Sequence, residues 1–283
     1  MRRILITGAK GQLGVALKDI LSLRPDIEAL YTDADTLDIT DAGQVERAVM
    51  SFRPDMFVNA AAYTAVDRAE TEISLCERLN AEAPAILAGA AARSGARLIH
   101  ISTDYVFSGS GTRPYRETDS TAPSTVYGRT KLAGENTVRE LLPDAHVILR
   151  TAWLYSHTGS NFVKTMLRLG ATRPEIGVVA DQWGCPTYAP VLAKAILTVI
   201  DAPRFVPGTF HFTGSGRTTW YDFAKAIFAE AGNTKCRVRP LTSEEYPCAA
   251  RRPLYSVLDC SLFADIYGFK APVWQESLHE FFQ

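Results

Sequence analysis

The chain has 283 residues, 47% of them hydrophobic and 22% charged, with a formal net charge of −1. This is the balance of a soluble globular protein with enough sequence for one large core or two modest domains, and it gives no sign of a nucleic-acid partner. No run of about 18 apolar residues offers a membrane span, and no export signal follows Arg2 and Arg3; with Cys76, Cys185, Cys236, Cys248 and Cys260 scattered, a reducing cytoplasm is the expected compartment.

In chain order, Arg3 to Thr7 reads as a strand, and Gly8, Gly11 and Gly14 follow at once in GAKGQLG. Leu13, Leu17, Ile20 and Leu21 then recur at helical spacing. Strand, glycine turn and helix open a dinucleotide-binding βαβ unit, because glycines admit a pyrophosphate to the backbone and a helix N-terminus offers it N–H donors. Ile27 to Tyr31 is a second strand, and Asp33 beyond it is placed to meet an adenosine ribose. No arginine there awaits a 2′-phosphate, which leans toward NADH, yet Lys10 in the glycine turn supplies a positive charge, so NADPH stays open. Asp38 is a candidate contact to adenine, and Thr40 or Asp41 caps a helix running to Phe52.

The strand Asp55 to Asn59 ends in Ala60-Ala61-Ala62, where small side chains leave room for a flat ligand against the backbone. A helix is expected over Ala83 to Ala92, with Asn80 just before it and Pro84 starting or kinking it. Leu98 to Ile101 is the fourth strand, a helix starts near Tyr127, and His146 to Leu149 is another strand. The alternation predicts an α/β, Rossmann-type doubly wound parallel sheet with helices on both faces. After residue 152 the pattern becomes irregular and proline-rich. Residues 1–152, with 189–213 returning to the sheet, are read as the dinucleotide-binding domain. Residues 153–188 and 214–283 are read as a smaller, interleaved substrate lobe.

Chemistry concentrates between residues 99 and 131. Thr103 stands at a strand's C-terminal end, where such sheets place ligands. Tyr127 and Lys131 are four apart, so on a helix a phenol and an ammonium share one face. Free tyrosine titrates near ~10, and the Lys131 charge is expected to lower that value toward the working pH. Thr103 would then hold a substrate oxygen while Tyr127 protonates it and hydride reaches the carbonyl carbon. A second pair with the same spacing, Tyr221 and Lys225, follows Thr218, Thr219 and Trp220 with no strand-end hydroxyl at the right distance before it, and its lysine is expected to face solvent.

Other residues carry weaker signals. His100, His146, His157, His211 and His279 show no ligand spacing, so no metal is expected. Ser102 lacks the G-x-S-x-G context of a hydrolase elbow. Trp153, just after a strand, is either core packing or a wall for a sugar. Arg252, beside Arg251, is either solvated or a clamp for a diphosphate.

The motifs TGAKGQLG (7–14), VNAAAYTAVDRAE (58–70), STDYVFSG (102–109), YGRTKLAGE (127–135), LRTAWLY (149–155), NFVKTML (161–167), DQWGCPT (181–187) and ARRPLYSVLD (250–259) span the chain. In this order the sequence resembles the extended short-chain dehydrogenase/reductase family, in its branch acting on nucleotide sugars. The resemblance implies that Thr103, Tyr127 and Lys131 are catalytic. It also implies that Gly11, Gln12, Leu13, Asp38, Ile39, Ala62, Tyr63 and Thr64 line the cofactor site, with Tyr127 and Lys131 reaching it. Thr103, Asp104, Trp153, Asn161 and Arg252 would meet the substrate. The implied reaction reduces the 4-keto group of dTDP-4-dehydro-6-deoxy-L-mannose with NADPH or NADH. Some members are magnesium-dependent dimers; Val15 and Ala16 stand where those carry glutamates, so magnesium is not expected, and a homodimer is left open. A 4,6-dehydratase would need Asp-Glu after the threonine, and Asp104-Tyr105 stands there instead. An epimerase and a non-catalytic NADP-binding subunit are the remaining alternatives.

Overall fold

Alternate residues of a strand face opposite ways, and in this chain both sets are apolar, so helices must cover both faces of the sheet. The structure, a computed structural model, describes residues 1–283. Its first half runs β1 (Arg2–Thr7), α1 (Gln12–Leu21), β2 (Ile27–Tyr31), α2 (Ala42–Phe52), β3 (Met56–Asn59), α3 (Val66–Ala69), α4 (Ile73–Glu77), α5 (Ala83–Ser94), β4 (Arg97–Thr103), α6 (Val126–Leu141) and β5 (His146–Thr151). There follow β6 (Leu154–Tyr155), α7 (Phe162–Thr172), β7 (Glu175–Val179), β8 (Trp183–Gly184), β9 (Thr187–Tyr188), α8 (Ala189–Asp201) and β10 (Gly208–His211). The chain closes with β11 (Thr218–Thr219), α9 (Trp220–Glu230), β12 (Arg237–Leu241), α10 (Ser261–Tyr267) and α11 (Trp274–Phe282).

Six parallel strands form the central sheet in the order β10-β5-β4-β3-β1-β2. This is the doubly wound α/β arrangement read from the alternation of elements. Ile4, Ile6, Val58, Ile99 and Val147 pack on one face with Leu13 and Leu17 of α1 and Val191 and Ile196 of α8. Leu5, Phe57, Leu98 and Ile148 pack on the other with Val45 of α2, Leu87 of α5 and Val138 of α6. Each such fully buried aliphatic side chain contributes about 1.5–3 kcal/mol. The winding reverses between β1 and β3, which opens a crevice beyond their C-terminal ends. Beyond the sheet, short strands pair as β6 with β9, β7 with β12 and β8 with β11.

Two local expectations resolve here. Asp41 rather than Thr40 caps α2, accepting the N–H groups of Gly43 at 2.8 Å and Gln44 at 3.0 Å, a contact worth about 1 kcal/mol. The helix expected to begin at Ala83 begins at Ile73 instead and passes through a π-helical turn over Arg78–Glu82. Asn80 therefore lies inside the helical run, not before it. A proline ring collides with the carbonyl four residues earlier in a regular α-helix, and the wider turn relieves that collision for Pro84. The Asn80 carbonyl faces Gly134 of α6, where a Cβ would stand 2.2 Å from its oxygen.

Candidate active-site cleft at the switch point

A cleft of about 810 Å³ lies over the C-terminal ends of β1, β3, β4 and β5. It brings together Gly8, Gly11, Gln12, Leu13, Asp33, Asp38, Ile39, Ala60, Ala61, Ala62 and Thr64 with Thr103, Asp104, Tyr127, Lys131 and Trp153. Gly14, Tyr63, Asn161 and Arg252, also expected at the site, do not line it.

At one end the glycine turn leaves no room for side chains. Gly8 has φ +68°, and a Cβ on it would lie 2.7 Å from the Ala61 nitrogen. A Cβ on Gly14 would meet the Gly8 oxygen at 2.2 Å, so Gly14 works by packing α1 against the turn rather than by touching a ligand. No side chain caps the start of α1. Its first amides and the positive end of its dipole are thus unspent, a cradle that fits a pyrophosphate. Asp33 accepts the N–H groups of Lys10 and Ala34, each at 2.8 Å. The Lys10 ammonium pairs with Asp35 at 2.5 Å. Asp38 accepts the Thr40 hydroxyl at 2.7 Å and the Thr40 N–H at 2.9 Å, and these bonds hold its carboxyl below the usual range. Tyr63 turns away, donating its hydroxyl to Glu72 at 2.5 Å, while its N–H donates to Asn80 at 2.9 Å.

At the other end stand the reactive side chains. Thr125 caps α6 by accepting the Gly128 N–H at 3.0 Å, which presents Tyr127 and Lys131 one turn apart on the helix's sheet-facing side. Lys131 is 2% exposed and donates from Nζ to the Ile101 carbonyl at 2.7 Å. Thr103 donates to Asp104 Oδ1 at 3.0 Å. Tyr105 packs edge-on against Tyr127, ring centroids 5.5 Å apart. The expectation that Lys131 lowers the Tyr127 pKa is overturned. Burial pushes the half-buried Tyr127 phenol well above its ordinary value, with the Thr103 side chain acting in the opposite direction. Burial also drives Lys131 down, to about 8. The low polarity of the site disfavours both charged forms at once.

Asp104 is 2% exposed, burial pushes its carboxyl up to about 6, and its Oδ2 has no hydrogen-bond partner. The Thr151 hydroxyl beside the cleft is also unpartnered. Buried polar atoms rarely stay unpaired, and these two lie where the cleft passes. Trp153 has φ +49° and stacks on Trp220, ring centroids 3.4 Å apart and 8° from parallel. Its indole fills the space a Cβ on Gly184 would need, at 2.4 Å. Asn161 caps α7 and donates its amide to Gln12 Oε1 at 3.0 Å and to the Ser156 carbonyl at 2.6 Å; it ties the glycine turn to α7. Arg252 is neither solvated nor in the cleft: it donates to Asp67 of α3 at 2.6 Å.

Sequence reasoning missed two parts of this arrangement. Trp220 forms half of the aromatic wall, and nothing in its local sequence joins it to Trp153. Glu135 is fully buried behind Lys131. It accepts from Ser102 at 2.6 Å, from Arg150 at 2.9 and 2.7 Å and from Arg139 at 3.1 Å. Burial pushes its carboxyl up, but these partners outweigh burial and leave it below the usual range. The signal was available: a carboxylate four residues after Lys131, on the same helix face.

The family model described as RmlD substrate binding domain matches residues 1–283. A dTDP-4-dehydrorhamnose reductase of Streptomyces griseus is 48% identical over 263 residues, covering 92% of this chain and 86% of the relative. A solved dTDP-4-dehydrorhamnose reductase of Clostridium acetobutylicum superposes with TM-score 0.94 at 44% identity, covering 99% of this chain and 98% of that one. One from Bacillus anthracis, solved in complex with NADP, also has TM-score 0.94, at 43% identity over 100% of this chain and 99% of that one.

Proposed function

The chain belongs to the RmlD substrate binding domain family, and from that premise we propose that it reduces the 4-keto group of dTDP-4-dehydro-6-deoxy-L-mannose to give dTDP-L-rhamnose. The observation that carries the reading is one cleft that joins a glycine cradle to Thr103, Tyr127 and Lys131. A nicotinamide dinucleotide supplies the hydride when bound. The cradle of Gly8, Gly11 and the uncapped α1 would hold its pyrophosphate, and Ala60 to Ala62 leave a flat wall beside it.

Thr103 holds the keto oxygen, and Tyr127 gives it a proton. Hydride transfer puts negative charge on the keto oxygen, and the protonated Tyr127 phenol beside Thr103 is the group placed to neutralise it. Lys131, fixed on the Ile101 carbonyl, steadies the phenolate that remains. Trp153 and Trp220 wall the sugar, and Asp104 Oδ2 accepts from a sugar hydroxyl. Residues 1–152 with 189–213 carry the cofactor in this reading, and 153–188 with 214–283 close on the substrate. Lys10, once free of Asp35, would meet a 2′-phosphate, so NADPH is accepted; NADH is accepted because no arginine is needed. Val15 and Ala16 offer no carboxylate to a magnesium ion. The chain's helices include none long and apolar enough to cross a membrane.

Purified protein given the 4-keto sugar nucleotide should oxidise NADPH and NADH in step with dTDP-L-rhamnose formed. Binding of both ligands without turnover would overturn the reading.

A further inference from the structure

One buried titratable group beside the site has no part in the chemistry above. His100, on β4, is completely buried and stands between a polar chain and the lysine. Thr7 donates its hydroxyl to Asn59 Oδ1 at 2.6 Å, and the Ala61 N–H donates to the same oxygen at 3.2 Å. A backbone N–H can only donate, so Oδ1 of Asn59 is the acceptor end of that amide and Nδ2 is the donor end. Asn59 Nδ2 lies 3.0 Å from His100 Nδ1. Nδ1 must therefore accept, which leaves the ring proton on Nε2. That N–H faces Lys131 Nζ at 3.4 Å.

The donor count around Nζ then discriminates between its two forms. An ammonium has three N–H groups and no lone pair, whereas an amine has two and one. Lys131 spends one N–H on the Ile101 carbonyl, and the His100 ring lies along another of its bonding directions. An N–H in that direction would meet the His100 N–H head-on; a lone pair would accept it. We propose that His100 is a positioning residue of this site, locked as the neutral Nε2–H tautomer by Thr7 and Asn59, and that its N–H favours the amine form of Lys131.

The other groups facing the lysine are Tyr127 and Glu135 on its own helix and Cys76 on α4. Glu135 and Cys76 favour the charged form, whereas burial opposes it and lowers Lys131 to about 8. Burial and the Lys131 charge also keep His100 neutral. The Thr7 hydroxyl of β1 and the Ala61 N–H just after β3 thus fix, through Asn59 and His100, which hydrogen-bonding group is offered to Lys131 of α6. The consequence is a lysine that exchanges its proton near the working pH instead of near ~10.4, the value of a free lysine.

The inference rests on the reductase reading for its kinetic consequence but not for its structural core. With ¹⁵N-labelled histidine, the His100 signals, assigned by their loss in His100→Gln, should show a bare Nδ1 and a protonated Nε2 from about pH 5 to 9. An Nδ1–H tautomer, or an imidazolium forming in that range, would overturn the proposal whether or not the protein reduces any sugar. In the pH profile of kcat with NADPH, the alkaline limb should lie near 8 in the wild type. It should move up by about one unit in His100→Phe, which removes the donor and keeps the bulk. His100→Gln can accept from Asn59 and donate to Lys131, and should hold the limb within about 0.3 units of wild type. A role confined to packing would lower kcat equally at every pH and leave the limb in place, and that outcome would also overturn the proposal. If the wild type shows no turnover at all, the reductase reading fails while the tautomer measurement still decides the inference.

Discussion

Tyr127/Lys131 and Tyr221/Lys225 have the same spacing, and the likeness goes further than spacing. Each tyrosine is the second residue of its helix, and each helix is capped by a threonine side chain, Thr125 on α6 and Thr219 on α9. The local structure is therefore the same, and the surroundings differ. On α9, Phe223, Ala224, Ile227 and Phe228 are buried. The Lys225 side chain is 56% exposed, with its ammonium 5.1 Å from the centre of the Tyr221 ring. On α6 the buried positions include Gly128, Lys131, Gly134 and Glu135. A Cβ on Gly128 would stand 2.2 Å from the Tyr105 carbonyl, as one on Gly134 would from that of Asn80. Small residues let α6 approach so closely that its lysine is drawn out of water, and burial then changes its chemistry. The pair on α6 differs from its twin in burial, because its helix is pressed against the backbone at Tyr105 and Asn80.

That contrast can be broken or sharpened by experiment, beginning with the largest effect. Tyr127→Phe should lower kcat by about 10²-fold or more while cofactor affinity holds; wild-type turnover would remove the proposed proton donor. Glu135→Gln leaves Arg150 without its charge partner in a buried setting and should destabilise the fold by about 3 kcal/mol in denaturant titration. The Glu135 carboxyl is held below its ordinary value, so its contribution is present at neutral pH and disappears as the pH falls through its titration. The loss caused by Glu135→Gln should accordingly shrink in acid, and a pH-independent difference would mean the pair contributes packing alone.

Arg252→Ala removes the bond to Asp67 outside the cleft and should leave KM for the sugar nucleotide within about twofold of wild type, whereas a several-fold rise with kcat little changed would return Arg252 to substrate binding. An unchanged KM would leave Arg252 as a strut to Asp67. Tyr221→Phe and Lys225→Ala should each alter turnover by less than about twofold and stability by less than about 0.5 kcal/mol. A large catalytic loss in either would mean that the exposed pair is the reactive one. Chelation with EDTA should have no effect on turnover; a loss restored by magnesium would contradict the role given to Val15 and Ala16.

Most of the architecture was legible because it rests on local pattern. Apolar runs at Ile4–Ile6, Phe57–Val58 and Leu98–Ile99 mark strands buried on both faces. The glycines at 8, 11 and 14 mark a turn into α1. Asp41 marks a cap. What was illegible depends on neighbours distant in sequence. Asn80, at the centre of the π-helical turn, is set against Gly134 of α6, a neighbour its own sequence does not announce. The Trp153–Trp220 stack joins residues from opposite ends of the second half. Arg252 reads as a free cation until α3 brings Asp67 beside it, and Asn161 reads as a substrate contact until its amide is seen on Gln12.

The sequence by itself determined the doubly wound sheet, the glycine turn and the candidate trio Thr103, Tyr127 and Lys131. Hydrophobic period, turn chemistry and helical spacing are properties of a few consecutive residues. Only the tertiary structure decided which tyrosine–lysine pair is buried, that its lysine loses charge readily, and that Glu135 and His100 stand on either side of that lysine. Desolvation and donor–acceptor pairing depend on every group within a few ångströms, and those groups come from strands and helices that the sequence does not place side by side.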